Sequence, residues 1–211
     1  MENKTDYSDD IKTIKKIMEE SSRFLSLSGL SGLFAGFIAV LGGLIAQFWI
    51  LKNKTFLISF SQLKYLFRDV SSIKRELITD ATLVLIAALA GSFYFSYRSA
   101  TLKGQKIWTP VSKRLLLNLF MPLVAGAFFI LFLYSAEQWK LIVPAMLIFY
   151  GLALISACKF TYDELFYLGV AELLTGFASA IFPEASIMFW LFGFGILHIA
   201  YGTFMYRKYE G

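Results

Sequence analysis

The 211-residue sequence predicts an all-α fold, a polytopic membrane bundle of six transmembrane helices in three tandem helical hairpins behind an amphipathic N-terminal helix. Composition points there first. Hydrophobic residues make up 57% and aromatic residues 18%, whereas charged residues reach only 17%, below the ~25% of ordinary soluble domains and too few to cover a water-facing globule. Apolar runs of spanning length come second, at Leu25–Ile50, Ala81–Tyr97, Leu115–Ser135, Leu141–Phe160, Tyr162–Phe182 and Ala185–Tyr206. The third observation is internal similarity. Ala35-Gly36-Phe37, Ala125-Gly126-Ala127 and Thr175-Gly176-Phe177 occupy like places in spans one, three and five, and Gly91, Gly151 and Gly195 mark the even spans.

Residues 1–24 form the cytoplasmic or interfacial lead-in. Ile11, Ile14, Met18 and Leu25 recur at helical spacing among Lys12, Lys15, Lys16, Glu19 and Glu20, so Ser8–Phe24 reads as an amphipathic helix lying at the membrane surface. It lacks the short apolar core and small-residue cleavage site of a signal peptide. Docking of a cytosolic protein partner on this helix is the alternative to a simple lead-in. The transmembrane domain covers 25–206, and a short tail, 207–211, closes the chain.

Along the first span Gly29, Gly32, Gly36, Ala39, Gly43 and Ala46 step by three and four, which makes one helix face small from end to end. Such a face allows close backbone approach, either to another helix of the same chain or across a homo-oligomer seam. Hydroxyls at Ser26, Ser28 and Ser31 can bond to carbonyls one turn back. The long connection 51–80 has Phe56, Phe60, Leu63, Phe67 and Val70 at helical spacing, with Lys64, Arg68, Lys74 and Arg75 on other faces; it reads as a helix in the headgroup region. In the third span Pro122 removes the hydrogen bond to the carbonyl of Asn118, which predicts a kink that Asn118 helps to satisfy. Trp139 and Lys140 anchor the outer interface, Pro144 opens the fourth span, and Thr161 to Glu164 fits a capping box for the fifth.

Basic residues set the orientation. With both termini cytoplasmic, 13 of the 20 Lys and Arg fall inside, and the loop 98–114 supplies Arg98, Lys103, Lys106, Lys113 and Arg114 without a single acid. This puts the loop at the cytoplasmic face and gives it the charge to hold anionic lipid. A 17-residue loop between two spans has no room for a nucleic-acid recognition fold. One cysteine, Cys158, excludes an internal disulfide framework.

The candidate buried polar site lies in the last hairpin. Glu172 precedes the Phe182-Pro183-Glu184 turn, and His198, the one histidine, follows it; helical rise places both roughly 18 to 21 Å from the turn, near mid-bilayer. Thr175 and Ser179 share the face of Glu172, together with Gly169 and Gly176, and Gly195 and Gly202 share the face of His198. An ionisable residue at the bilayer centre costs about 2.5 to 3.5 kcal/mol on insertion scales, so two at one depth point either to a hydrogen-bonded lock or to a proton or solute site. No catalytic group, cofactor or metal is expected, because no nucleophile and base pair at matched depth and no metal-ligand spacing is present.

Several stretches resemble a family of small bacterial six-span membrane proteins: Ser21 to Phe24 running into Ser26 to Gly32, Gly104 to Trp108, Pro144 to Leu154, Tyr162 to Gly169 and Gly195 to Gly202. That resemblance implies fold and location, a bacterial inner (cytoplasmic) membrane, and says nothing of activity. The hairpin pattern is also similar to HdeD-like membrane proteins, which implies an association with acid resistance. Two functions are therefore expected as alternatives: transport or sensing through Glu172 and His198, or a structural or regulatory membrane subunit, possessing no enzymatic activity, that acts through helix contacts and partners.

Overall fold

Six helices, each long and apolar enough to cross a membrane, make up the structure, a computed structural model that describes residues 23–24, 27–51, 70–104 and 106–211. They are α1 (Gly29–Ile50), α2 (Val70–Leu102), α3 (Pro110–Ser135), α4 (Trp139–Phe160), α5 (Glu164–Ile181) and α6 (Pro183–Tyr209). No strand occurs among the described residues. The amphipathic helix expected before Arg23 and most of the long connection lie outside them. Where that connection is described, from Val70 onward, it is no separate headgroup helix: it continues into α2 without a break. Its charged residues, Lys74, Arg75, Glu76 and Asp80, occupy the first turns of one long helix.

The helix ends follow from local chemistry. Ser28 accepts from Leu30 N–H at 3.2 Å to cap α1, and Ser31 Oγ returns to Ser28 O. Beyond Leu102, Gly104 adopts φ +63 and its N–H reaches Thr101 O at 3.1 Å, the left-handed stop that glycine adopts without strain. Thr109 and Ser112 then exchange reciprocal hydrogen bonds as a capping box, with Pro110 at the first helical position of α3. The box expected at Thr161 does not form. Its hydroxyl donates instead to Phe24 O at 2.8 Å, and Asp163 takes the cap position of α5 with no side-chain bond to the helix. Three threonine hydroxyls inside the apolar helices are satisfied locally: Thr82, Thr175 and Thr203 each bond to the carbonyl four residues back.

Packing departs from a simple row of hairpins. The fullest seams join α4 to α5 and α1 to α6, while α2 lies on α1 and α3 on α4. Glycine makes the two full seams close. At Gly29 and Gly32 of α1 an added Cβ would meet the backbone of Gly202 and Tyr206, and at Gly36 that of Gly195; at Gly151 of α4 it would meet the Gly169 carbonyl of α5 at 2.7 Å. Gly43, at the far end of the same stripe, faces only the side chains of Leu191 and Trp190. The small face of α1 is thus occupied within the chain. The α5–α6 hairpin is held less by its own contact than by these outer neighbours.

One end of the bundle is tied by polar contacts between distant segments. Phe24 N–H donates to Phe160 O at 2.7 Å, Arg23 pairs with Asp163 at 2.8 Å, and Lys208 pairs with Glu164, which also accepts from Tyr209 Oη at 2.9 Å. Glu210 receives Gly29 N–H at 2.7 Å and Ser28 Oγ at 3.0 Å, so a carboxylate from the chain's last turn sits at the positive end of α1. Between the spans, burial and then Tyr209 push the Tyr162 phenol up to about 12, so it remains a neutral ring packed on Tyr209. At the opposite end the Lys74 ammonium lies 4.1 Å from the centre of the Trp139 ring.

Candidate functional site

Glu172 stands midway along α5 with no exposed surface, and His198 of α6 is only 6% exposed. The two meet: His198 Nδ1 lies 3.3 Å from Glu172 Oε1. Helical spacing on α5 places Glu172, Thr175 and Ser179 on one buried face, and the α5–α6 turn brings His198 back to the depth of Glu172.

Two features that the sequence did not single out complete the site. The first is Tyr150 of α4, whose hydroxyl lies 2.7 Å from His198 Nε2 and whose ring stacks on the imidazole at 5.4 Å. The second is a π-helical turn, Leu191–Leu197, immediately before His198. The wider winding brings the Gly193 carbonyl to the histidine, where it lies 3.1 Å from Nδ1; wide turns of this kind recur at functional positions in helices. Gly193 is also where the carboxylate finds room. A Cβ there would lie 2.7 Å from Glu172 Oε2 and 2.5 Å from Leu147 Cδ2, so any side chain would displace the acid.

The imidazole and the carboxylate differ in how well they are satisfied. Both ring nitrogens of His198 have partners, Gly193 O on one side and Tyr150 Oη on the other. Among the described residues, neither Glu172 oxygen makes a hydrogen bond beyond its close approach to Nδ1. Ser179 Oγ, two turns further along α5, is likewise buried without a partner among the described residues, whereas Thr175 is satisfied by Ala171 O. A buried carboxylate lacking donors is costly unless it holds a proton or a positive partner. Apart from His198, the carboxylate has no polar partner among the described residues.

The other residues singled out in the sequence lie elsewhere. Asn118 does not repair the break at Pro122: α3 runs through the proline, and the Asn118 side chain donates to Arg114 O at 2.9 Å and accepts from Ser156 Oγ of α4 at 3.3 Å. It cross-links two helices. Of the basic loop, Arg98 and Lys103 line a cleft of about 320 Å³ with Ser28, Ser99, Tyr206 and Glu210, at the tied end of the bundle; Lys106, Lys113 and Arg114 stand outside it. Groups of three or more His, Cys, Asp or Glu that could hold a metal are absent among the described residues. Compared with family models, with curated proteins and with solved structures, the chain matches none.

Proposed function

We propose that this is a multi-pass protein of the bacterial inner membrane, with both termini cytoplasmic, whose bundle binds a proton or small solute at the Glu172–His198 pair in transport or sensing. The observation that carries the reading is the fully buried Glu172 carboxylate, in contact with His198 and otherwise without a hydrogen-bond donor among the described residues. Charge supports the orientation. Among the described residues the tied end gathers Arg98, Lys103, Lys106, Lys113, Arg114, Lys159 and Arg207, while the acids described there, Asp163, Glu164 and Glu210, are each engaged within the chain. An excess of unpaired basic residues at one end is what retains that end in the cytoplasm, and the Arg98–Lys103 cleft is where we assign anionic lipid. The family of small six-span membrane proteins, with its looser HdeD-like kinship, is the setting we propose for the fold.

A proton-flux measurement tests the function. Protein in liposomes, assayed across pH 5 to 8 where histidine ordinarily titrates, is expected to carry a pH-dependent flux that Glu172→Gln and His198→Ala each abolish while the fold is retained. No flux from correctly inserted wild-type protein removes proton transport and shifts the weight to a partner-binding role. The alternative, a regulatory subunit acting through partners, then rests on the basic end of the bundle, and deletion of residues 1–20 is expected to release a co-purifying protein.

A further inference from the structure

The reading above leaves the cargo open between a proton and a solute, and it gives Tyr150 no part. We propose that the pair takes a proton and nothing larger, and that Tyr150 positions His198 to receive it at Nε2. The inference rests on the proposed function but follows from different contacts.

Space excludes bulk. On one side of the carboxylate even a methyl group on Gly193 would crowd Oε2 and Leu147, a fully buried side chain. On the other side the imidazole is stacked against Tyr150. A metal ion would need several ligands around it; no group of three or more His, Cys, Asp or Glu stands together among the described residues, and the imidazole beside Glu172 is already engaged at both nitrogens. A proton requires no volume.

The hydrogen bonds fix where it goes. Nδ1 faces two acceptors, the Gly193 carbonyl and the Glu172 carboxylate, so in the neutral ring the hydrogen resides on Nδ1. Nε2 is then the bare nitrogen, and Tyr150 O–H donates to it. When a proton arrives, one N–H bond forms at Nε2 and none breaks. The Tyr150 oxygen turns from donor to acceptor, keeping its own hydrogen, and the ring becomes an imidazolium beside the carboxylate. The pair passes from one net negative charge to zero, which relieves the cost of an isolated carboxylate in the bundle. Titratable groups facing the pair are few among the described residues. Tyr150 comes from α4 and Tyr201 from α6 itself; α1 has no titratable residue, and the acids and bases of α3 and α5 other than Glu172 stand at the helix ends.

The chain has a single histidine, so ¹⁵N-histidine labelling of the full protein in lipid gives the signals of this ring alone. The expected result at pH 8 is a neutral ring with hydrogen on Nδ1, and on lowering the pH to 5 a second hydrogen appears at Nε2. Tyr150→Phe keeps the ring stack and removes the hydroxyl; loss of one ordinary hydrogen bond is expected to move the tautomer ratio about fivefold toward Nε2–H at pH 8, with circular dichroism unchanged. Hydrogen on Nε2 in the neutral wild-type ring, a ring that never gains a second hydrogen, or a tautomer ratio indifferent to Tyr150→Phe overturns the assignment. So does a shift of the ring signals on adding sodium or zinc chloride at constant pH. None of these readouts needs flux: absent flux with the expected ring signals removes transport and leaves this site standing, and flux with the wrong tautomer does the reverse.

Discussion

Gly202→Ala is the sharpest test of how this bundle is held together. The added methyl would lie 2.7 Å from Gly29 O and 2.9 Å from Gly32 C, and would also strike Leu33 N. Every one of these atoms is backbone, so no rotamer change relieves the contact and α1 has to withdraw by about 1 Å to restore ordinary van der Waals distance. Overpacking a core costs about 1 to 3 kcal/mol when side chains can adjust. Here they cannot. A gap of that size also forfeits a quarter to a half of each neighbouring dispersion contact along the seam, so a loss of about 3 kcal/mol is expected, which is more than a hundredfold in the folding equilibrium. Gly43→Ala is the internal control, because on the same stripe its methyl would meet only the side chains of Leu191 and Trp190; it is expected to cost about 1 kcal/mol or less. Equilibrium unfolding in mixed micelles measures both. If Gly202→Ala proves as stable as Gly43→Ala, the α1–α6 seam is not the close glycine contact described above.

Four further outcomes are expected. Gly193→Ala forces Oε2 away by about 0.7 Å, which lengthens the 3.3 Å contact to His198 and weakens their attraction by about 1 kcal/mol at an effective dielectric of 20; pH-dependent flux should fall about fivefold with the fold intact, and unchanged flux would contradict the crowding argument. Glu172→Leu removes the buried charge while His198 keeps Gly193 and Tyr150, so thermal stability should hold or rise as activity disappears; a loss of several kcal/mol would instead mark the pair as a lock. Thr109→Ala deletes the capping box of α3 and should lower stability by about 1 kcal/mol in the same unfolding assay. In a Cys158→Ser background, cysteines placed at Lys106 and at Glu184 should label from opposite faces of the membrane, and labelling from one face would overturn the orientation.

What the sequence makes legible here is what a lipid solvent demands of each helix by itself. Long apolar runs mark α1 and α3 to α6 to within a few residues, because a helix satisfies its own backbone and needs only apolar side chains outside. The start of α2 is hidden for the same reason: Lys74, Arg75, Glu76 and Asp80 read as a surface segment, although they belong to the helix. Relations between helices are less legible. The glycine stripe of α1 announces a close neighbour but cannot name α6, and Thr161 looks like a cap until Phe24 is seen to claim its hydroxyl. The depth match of Glu172 and His198 follows from counting residues on either side of one turn. Tyr150 cannot be found that way. It lies two spans away from His198 in the chain, and a tyrosine beside a glycine reads as packing until the α4–α6 crossing places its hydroxyl on the imidazole.

The bond between Glu210 and the start of α1 has a consequence for how the protein is made. It links residues 182 apart in the chain, and at about 5 to 20 residues per second the ribosome needs roughly 10 to 40 s to supply the second partner after the first. Throughout that interval the glycine face of α1 is without the helix it is shaped for, open to any other small-faced helix nearby. Assembly thus passes through a stage in which α1 has α2 beside it but not α6, and anything shielding the glycine face at that stage would govern yield long before it affected the finished molecule.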